Sequence, residues 1–102
     1  MASIPIEYKV DIEKRVRDHA AAQWPEIEAV TVRFHGQYAY LAAILTADGA
    51  VQPLFRLRWE GYRNDYGFAL WRPSHDDYDP TWISEGTPEA ALDLAATLYA
   101  RG

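Results

Sequence analysis

Apolar and polar residues alternate along this chain with two periods, one helical and one of two. Between residues 5 and 24 the apolar positions Tyr8, Ile12, Val16, Ala20 and Trp24 recur every fourth residue, and Ile6 and Val10 widen the arc. Glu7, Asp11, Lys14, Arg15 and Asp18 occupy the opposite side. At about 100° per residue this pattern is an amphipathic helix with one face on a core. Pro5 stands near its first turn, where a missing N–H costs no hydrogen bond. Pro25 ends it, because a residue before proline is pushed out of the helical region.

From residue 27 the period is two. Val30, Val32 and Phe34 share one face of a strand over 27–35, and Thr31, Arg33 and His35 share the other. Gly36-Gln37 reads as a tight hairpin turn. A second strand over 38–46 opposes Leu41, Ala43 and Leu45 to Tyr40, Ala42 and Ile44, and Asp48-Gly49 marks the next turn. A third strand over 51–59 sets Phe55, Leu57 and Trp59 against Leu54, Arg56 and Arg58. Pro53 there implies an edge position or a late start to pairing. After a polar turn at 60–65, residues 66–71 form a fourth strand.

Residues 72–86 read as a loop with Pro73, Pro80 and four acids. Most connections run to only about 4–6 residues, so a loop this long is a candidate functional segment or a self-packed Ω-loop. Thr87 as N-cap, Pro88 at the first helical position and Glu89 in the first turn open a second helix that runs to about residue 100. Ala91, Leu92, Ala95, Leu98 and Tyr99 form its apolar stripe. The order helix, three or four antiparallel strands, helix predicts an α+β fold in one domain over residues 1–102, with both helices on one sheet face. The second face is left for water, a ligand or a partner.

Composition narrows the chemistry. With 49% hydrophobic residues and four Trp among them, the chain has enough apolar surface for a core, which argues against disorder. The absence of Cys removes disulfides, Cys-ligated zinc, iron–sulfur clusters and thiol nucleophiles. The longest weakly polar run, residues 38–46, is far shorter than the ~20 residues of a membrane-spanning helix, so no membrane association is expected. Residues 1–5 show neither a basic nor an apolar signal region, and the expected location is the cytoplasm.

Alternation on strands one to three gathers Arg33, His35, Tyr40, Arg56 and Arg58 on the face away from the helices, with Trp71 near by. Guanidinium groups offer a planar fork of donors to carboxylate or phosphate and stack on aromatic rings. Such a face has the composition of an interface for an acidic protein partner, a second copy or a small anion. The competing reading is that these arginines merely lie over the sheet and pair with surface acids.

In element order alone the helix–three-strand–helix arrangement resembles the double-stranded-RNA-binding domain. That resemblance implies cations at the start of the second helix, where this chain has Thr87-Pro88-Glu89. Residues 73–102 carry six acids against Arg101 alone. Nucleic-acid binding would rest on the stretch from Arg56 to Arg72, where Trp59, Tyr62, Tyr66 and Trp71 offer stacking surfaces. The net charge of −5 opposes it.

His75, Asp76, Asp77 and Asp79 make the long loop a candidate for oxygen-rich metal binding or a small metal-dependent enzyme. Their spacing lacks the EF-hand's alternating ligands, central Gly and distant Glu. Asp and Ser also simply cap turns. No nucleophile elbow, P-loop or dinucleotide fingerprint occurs. No catalytic constellation, cofactor or metal site is therefore assigned.

Two segments carry a family likeness. Arg56-Leu57-Arg58-Trp59 through Tyr66-Gly67-Phe68-Ala69-Leu70-Trp71 to Ser74-His75-Asp76-Asp77-Tyr78 is the first, and Gly86-Thr87-Pro88-Glu89-Ala90-Ala91-Leu92-Asp93 the second. They resemble a family of small uncharacterised actinobacterial proteins over the C-terminal half. The resemblance implies a bacterial cytoplasmic accessory protein and brings no activity, cofactor or site residue with it.

Overall fold

The structure, a computed structural model, describes residues 3–79 and 83–99. Helix α1 (Ile6–Gln23) is followed by strands β1 (Ile27–His35), β2 (Tyr38–Leu45), β3 (Val51–Arg58) and β4 (Tyr66–Arg72). A short 3-10 turn (Pro73–His75), β5 (Asp77–Tyr78), β6 (Ile83–Gly86) and helix α2 (Pro88–Tyr99) complete the order. The first four strands form an antiparallel meander in the order β1-β2-β3-β4. The far edge of β4 is shared: β6 pairs with its first half and β5 with its end. This is the expected α+β architecture, with a sheet longer than the expected three or four strands.

The turns behave as their residues dictate. Gly36 and Gly49 adopt φ of +59° and +69°, the left-handed values that tight turns need and side chains resist. The Asp48 carboxylate accepts the Ala50 N–H at 3.0 Å. The Thr87 hydroxyl accepts the Ala90 N–H at 3.1 Å and caps α2. Pro53 sits where β3 pairs with β2 but has not yet met β4, beside a bulge between Leu41 and Ala42. The bulge makes Leu54 the extra residue, so Leu54 and Phe55 are both buried although they are neighbours in sequence.

Both helices lie on one sheet face, α1 against β1 and α2 against β3 and β4. Their contacts enclose a single core built from Ile12, Val16, Leu92, Ala95, Ala39, Leu41, Phe55, Leu57 and Tyr66. Two expectations about the helices need correction. Ile6 and Val10 are 70% and 60% exposed, because Val10 lies about 160° around the helix from Ile12 and the inward arc is narrower than the apolar one. On α2 the inward stripe is Ala91, Leu92, Ala95 and Ala96, and Leu98 is exposed.

The segment expected as a 15-residue loop is also different. Residues 73–78 turn back as a short hairpin on the end of β4, and β6 runs along its start. Strands of two and four residues are too short to show a period, and pairing with a distant strand decides them. Pro80 and Trp82 lie outside the described residues.

Polar contacts lock the helices together. Arg15 grips Glu89 with two hydrogen bonds of 2.9 and 2.8 Å, reaches Asp11 at 3.3 Å, and donates to the Arg63 carbonyl at 2.8 Å. Burial pushes the Glu89 carboxyl up, but hydrogen bonds from Arg15 and its own backbone outweigh that and hold it below the usual carboxylate value. The Asp93 carboxylate accepts the Trp24 indole N–H at 2.9 Å and stands 2.7 Å from His19 Nε2.

Two substitutions probe this packing. A Cβ on Gly86 would stand 2.7 Å from the ring of buried Phe68, so Gly86→Ala is expected to cost about 1–3 kcal/mol in urea unfolding. The Tyr66 hydroxyl is buried and has no hydrogen-bond partner among the described residues, and burial, with Asp11 near by, pushes its pKa up to about 12. Above pH 10 the unfolded chain ionises this phenol first, so its contribution to stability is whole below pH 10 and is lost toward pH 12. Tyr66→Phe is expected to gain about 1 kcal/mol at pH 7, and its advantage should widen at pH 11. A constant gap between the two pH values would refute that account.

Candidate functional site

The register of the meander lays out the face opposite the helices. Arg33 faces Tyr40, Tyr40 faces Arg56, and Arg56 faces Ala69. The next row is His35, Tyr38, Arg58 and Gly67. Partners directly across strands point to the same side, so both rows lie on one face. Trp71, two residues past Ala69, belongs to it as well and pairs with Tyr78 of β5. All six residues expected on this face, Arg33, His35, Tyr40, Arg56, Arg58 and Trp71, are therefore found there.

The side chains form a continuous ladder. The Arg33 guanidinium lies 4.9 Å from the centre of the Tyr40 ring, and that of Arg56 lies 5.4 Å from the Tyr78 ring. Tyr40 and Tyr78 are 5.6 Å apart between ring centres, Trp71 and Tyr78 are 5.2 Å apart, and Tyr38 adds a ring 6.4 Å from Tyr40. These two guanidinium groups thus rest on π faces, and each ring touches the next.

Small residues make room for this arrangement. Tyr78 comes from the sheet's far side yet reaches Tyr40 on β2, with the Arg56 guanidinium of the intervening β3 against its ring. Ala69 points away from the core and is nevertheless fully buried. Gly67 serves the second row: a Cβ there would come within 3.2 Å of both Arg58 Nη2 and Glu60 Oε2. Those two groups hold each other, with Arg58 donating twice to Glu60 Oε2 at 3.0 and 2.8 Å. Burial, chiefly, pushes the Tyr78 phenol above its ordinary value, while Arg33 and Arg56 pull it down.

Sequence reasoning missed Tyr38 and Tyr78. Tyr38 carried a signal, since it shares parity with Tyr40. Tyr78 carried none, because its place depends on the hairpin that returns β5 to β4.

Ion pairs sort the cations. Lys14 pairs with Asp18 at 2.6 Å, Arg15 with Glu89, Arg17 with Glu13 at 3.0 Å, Arg58 with Glu60, and Arg63 with Asp11 at 3.7 Å. Exposed Arg33 has no ion pair among the described residues. Stacking engages the face of a guanidinium and leaves its in-plane N–H groups directed outward.

The stretch expected to meet nucleic acid is divided between two sides. Arg56, Arg58 and Trp71 join the ladder, whereas Tyr66 is buried under the helices and Trp59 packs edge-on against Tyr8 at 5.6 Å. Arg63 sits over Tyr8, 5.4 Å from its ring centre. At the start of α2, where the RNA-binding resemblance implies a cation, Glu89 is tied to Arg15.

The acids of the hairpin build its turns. Asp77 Oδ1 accepts the Tyr78 N–H at 2.8 Å, Asp76 takes the left-handed φ of 50°, and the Asp79 N–H donates to the Leu70 carbonyl at 2.7 Å. His75 Nδ1 lies 3.0 Å from the Ser74 hydroxyl. Among the described residues no three His, Cys, Asp or Glu side chains come together in a way that would hold a metal ion. A cleft of about 250 Å³ lies away from the ladder, between α1 and β1. No helix among the described residues is long and apolar enough to cross a membrane.

Comparison with known proteins found no family model, no curated protein and no solved structure that matches the chain.

The ladder's keystone is Tyr78, which touches Tyr40, Trp71 and Arg56. Tyr78→Ala is expected to lower stability by about 1–3 kcal/mol in urea unfolding. Tyr78→Phe keeps the ring and should lose less than about 0.5 kcal/mol. Equal losses in the two variants would assign the effect to the hydroxyl instead.

Proposed function

We propose that this chain is a non-enzymatic binding module, and that its ladder face holds an acidic segment of a protein partner. The observation that carries this reading is exposed Arg33, stacked on the Tyr40 ring and without an ion pair among the described residues, in a face where Arg56 also lies against a ring, that of Tyr78. A stacked guanidinium is already ordered, so a carboxylate meets donors that have little side-chain freedom left to lose. The rings beside them give an incoming chain flat apolar surface of the kind that dominates binding energetics. The −5 charge of the chain repels polyanions at long range, and a short acidic peptide suffers less from this than nucleic acid does. A cytoplasmic setting is part of the same proposal and agrees with a chain that lacks Cys.

The test is titration of the labelled protein with a glutamate-rich dodecapeptide, sodium phosphate and a dodecamer of uridine, read by NMR. The peptide is expected to shift the amides of β1, β2 and β5, and Arg33→Ala combined with Arg56→Ala should weaken its binding at least tenfold. Phosphate alone reproducing the same shifts would make the ligand a small anion. Tighter binding of the uridine strand, falling steeply with salt, would favour nucleic acid. Peptide binding left unchanged by the double substitution would sink the role of this face.

A further inference from the structure

We propose that β1 and the flank of α1 beside it bind a second copy of this chain, edge to edge, about a two-fold axis near Val32. This does not rest on the binding role of the ladder face. Strand β1 is nine residues long and ends the sheet, and its outer edge is unpaired among the described residues. The two-residue turn at Gly36-Gln37 makes His35 and Tyr38 a hydrogen-bonded pair, so Arg33 and Thr31 also bond inward to β2. Val30, Val32 and Phe34 then direct their backbone groups outward. Protected edges carry a proline, an inward charge or a mid-strand bulge. Here the only register shift is confined to the start, between Ile27 and Ala29.

The helix beside this edge is built to match. At about 100° per residue Ile6, Val10, Arg17 and Ala21 fall on one stripe of α1, roughly 60° wide. Arg17 and Ala21 line the cleft against Val30 of β1, so the exposed Ile6 and Val10 lie along the same flank. These two side chains are unexplained by the monomer's own core.

Charge order selects an antiparallel second copy. Glu28 stands near one end of β1 and His35 at the other, so an antiparallel copy about Val32 sets His35 beside Glu28. Antiparallel pairing brings unlike ends together, and parallel pairing would bring like ends together. The Glu13–Arg17 pair on the α1 stripe has the same polarity. The axis suits both layers. Lys9 lies over Phe34 at one end of β1, and Ala20 meets Val30 across the cleft at the other, which sets Val32 beside the middle of α1. A two-fold there pairs Val30 with Phe34 of the second copy, Val32 with its own counterpart, and Phe34 with Val30. All three are outward-bonding positions. It also turns the Ile6–Val10 half of each α1 toward the alanine half of the other.

Sedimentation equilibrium on the 102-residue chain is the test. The expected mass is twice the 11.6 kDa of the chain. Val10→Lys alters only an exposed position, and Val32→Pro removes an outward N–H that the monomer does not use. Each is expected to weaken dimerisation at least tenfold while circular dichroism stays that of the wild type. Tyr40→Ala on the ladder should leave the dimer intact. A monomer at millimolar concentration overturns the proposal. So does a dimer that resists both edge substitutions, or one that Tyr40→Ala dissolves.

Discussion

The register of β2 is the constraint on which the rest of the structure depends. This strand lies between β1 and β3, and its residues alternate strictly in use. Ala39, Leu41 and Ala43 are fully buried beneath the helices, and Tyr38 and Tyr40 stand on the other side. A slip of one residue would send tyrosines into the core and leucine to the surface. The positive φ of Gly36 holds that register on the β1 side. On the β3 side a bulge lets Leu54 and Phe55 both reach the core without disturbing Arg56 and Arg58. Core and ladder are two readings of one alternation, and neither can change alone.

The two faces handle cations differently. On the helix side Arg15 is saturated: Glu89, Asp11 and the Arg63 carbonyl take up its donors. These bonds join α1, α2 and the 59–65 turn, and their work is structural. On the other side Arg33 and Arg56 lie against rings. For Arg33, which has no ion pair among the described residues, the contact fixes the guanidinium plane without neutralising its charge. A chain with a net charge of −5 thus keeps part of its positive charge ordered on one surface and spends much of the rest on internal ties.

Much of this was legible in the sequence because local periodicity carries it. Helix α1, strands β1 to β4 and the capped start of α2 follow from spacing, turn glycines and Thr87, and the six ladder positions follow from parity. What was hidden depends on contacts between distant residues. Strands β5 and β6 have two and four residues, too few to show a period, and the segment around β5 is rich in aspartate and proline. The place of Tyr78 follows from β5, so the ladder's keystone was out of reach. The exposure of Ile6 and Val10 was misjudged for another reason: an apolar arc on a helix shows what can be buried, and the width of the sheet beneath decides how much is.

The edge and the face are physically linked through Arg33. A two-fold near Val32 sets Arg33 of each copy opposite Thr31 of the other, on the same side of a now continuous sheet. The two guanidinium groups then approach diagonally across the axis, where positions are about 7–8 Å apart. Like charges at that spacing oppose pairing. Each is held in place by its Tyr40 ring, so neither turns away without losing that contact. An acidic segment laid across the axis would meet both arginines and remove the repulsion. Binding at the face and pairing at the edge would then strengthen each other by the same factor, as linkage requires. Arg33, at once the end of the ladder and the neighbour of Val32 on the proposed axis, is the residue through which the two would be coupled.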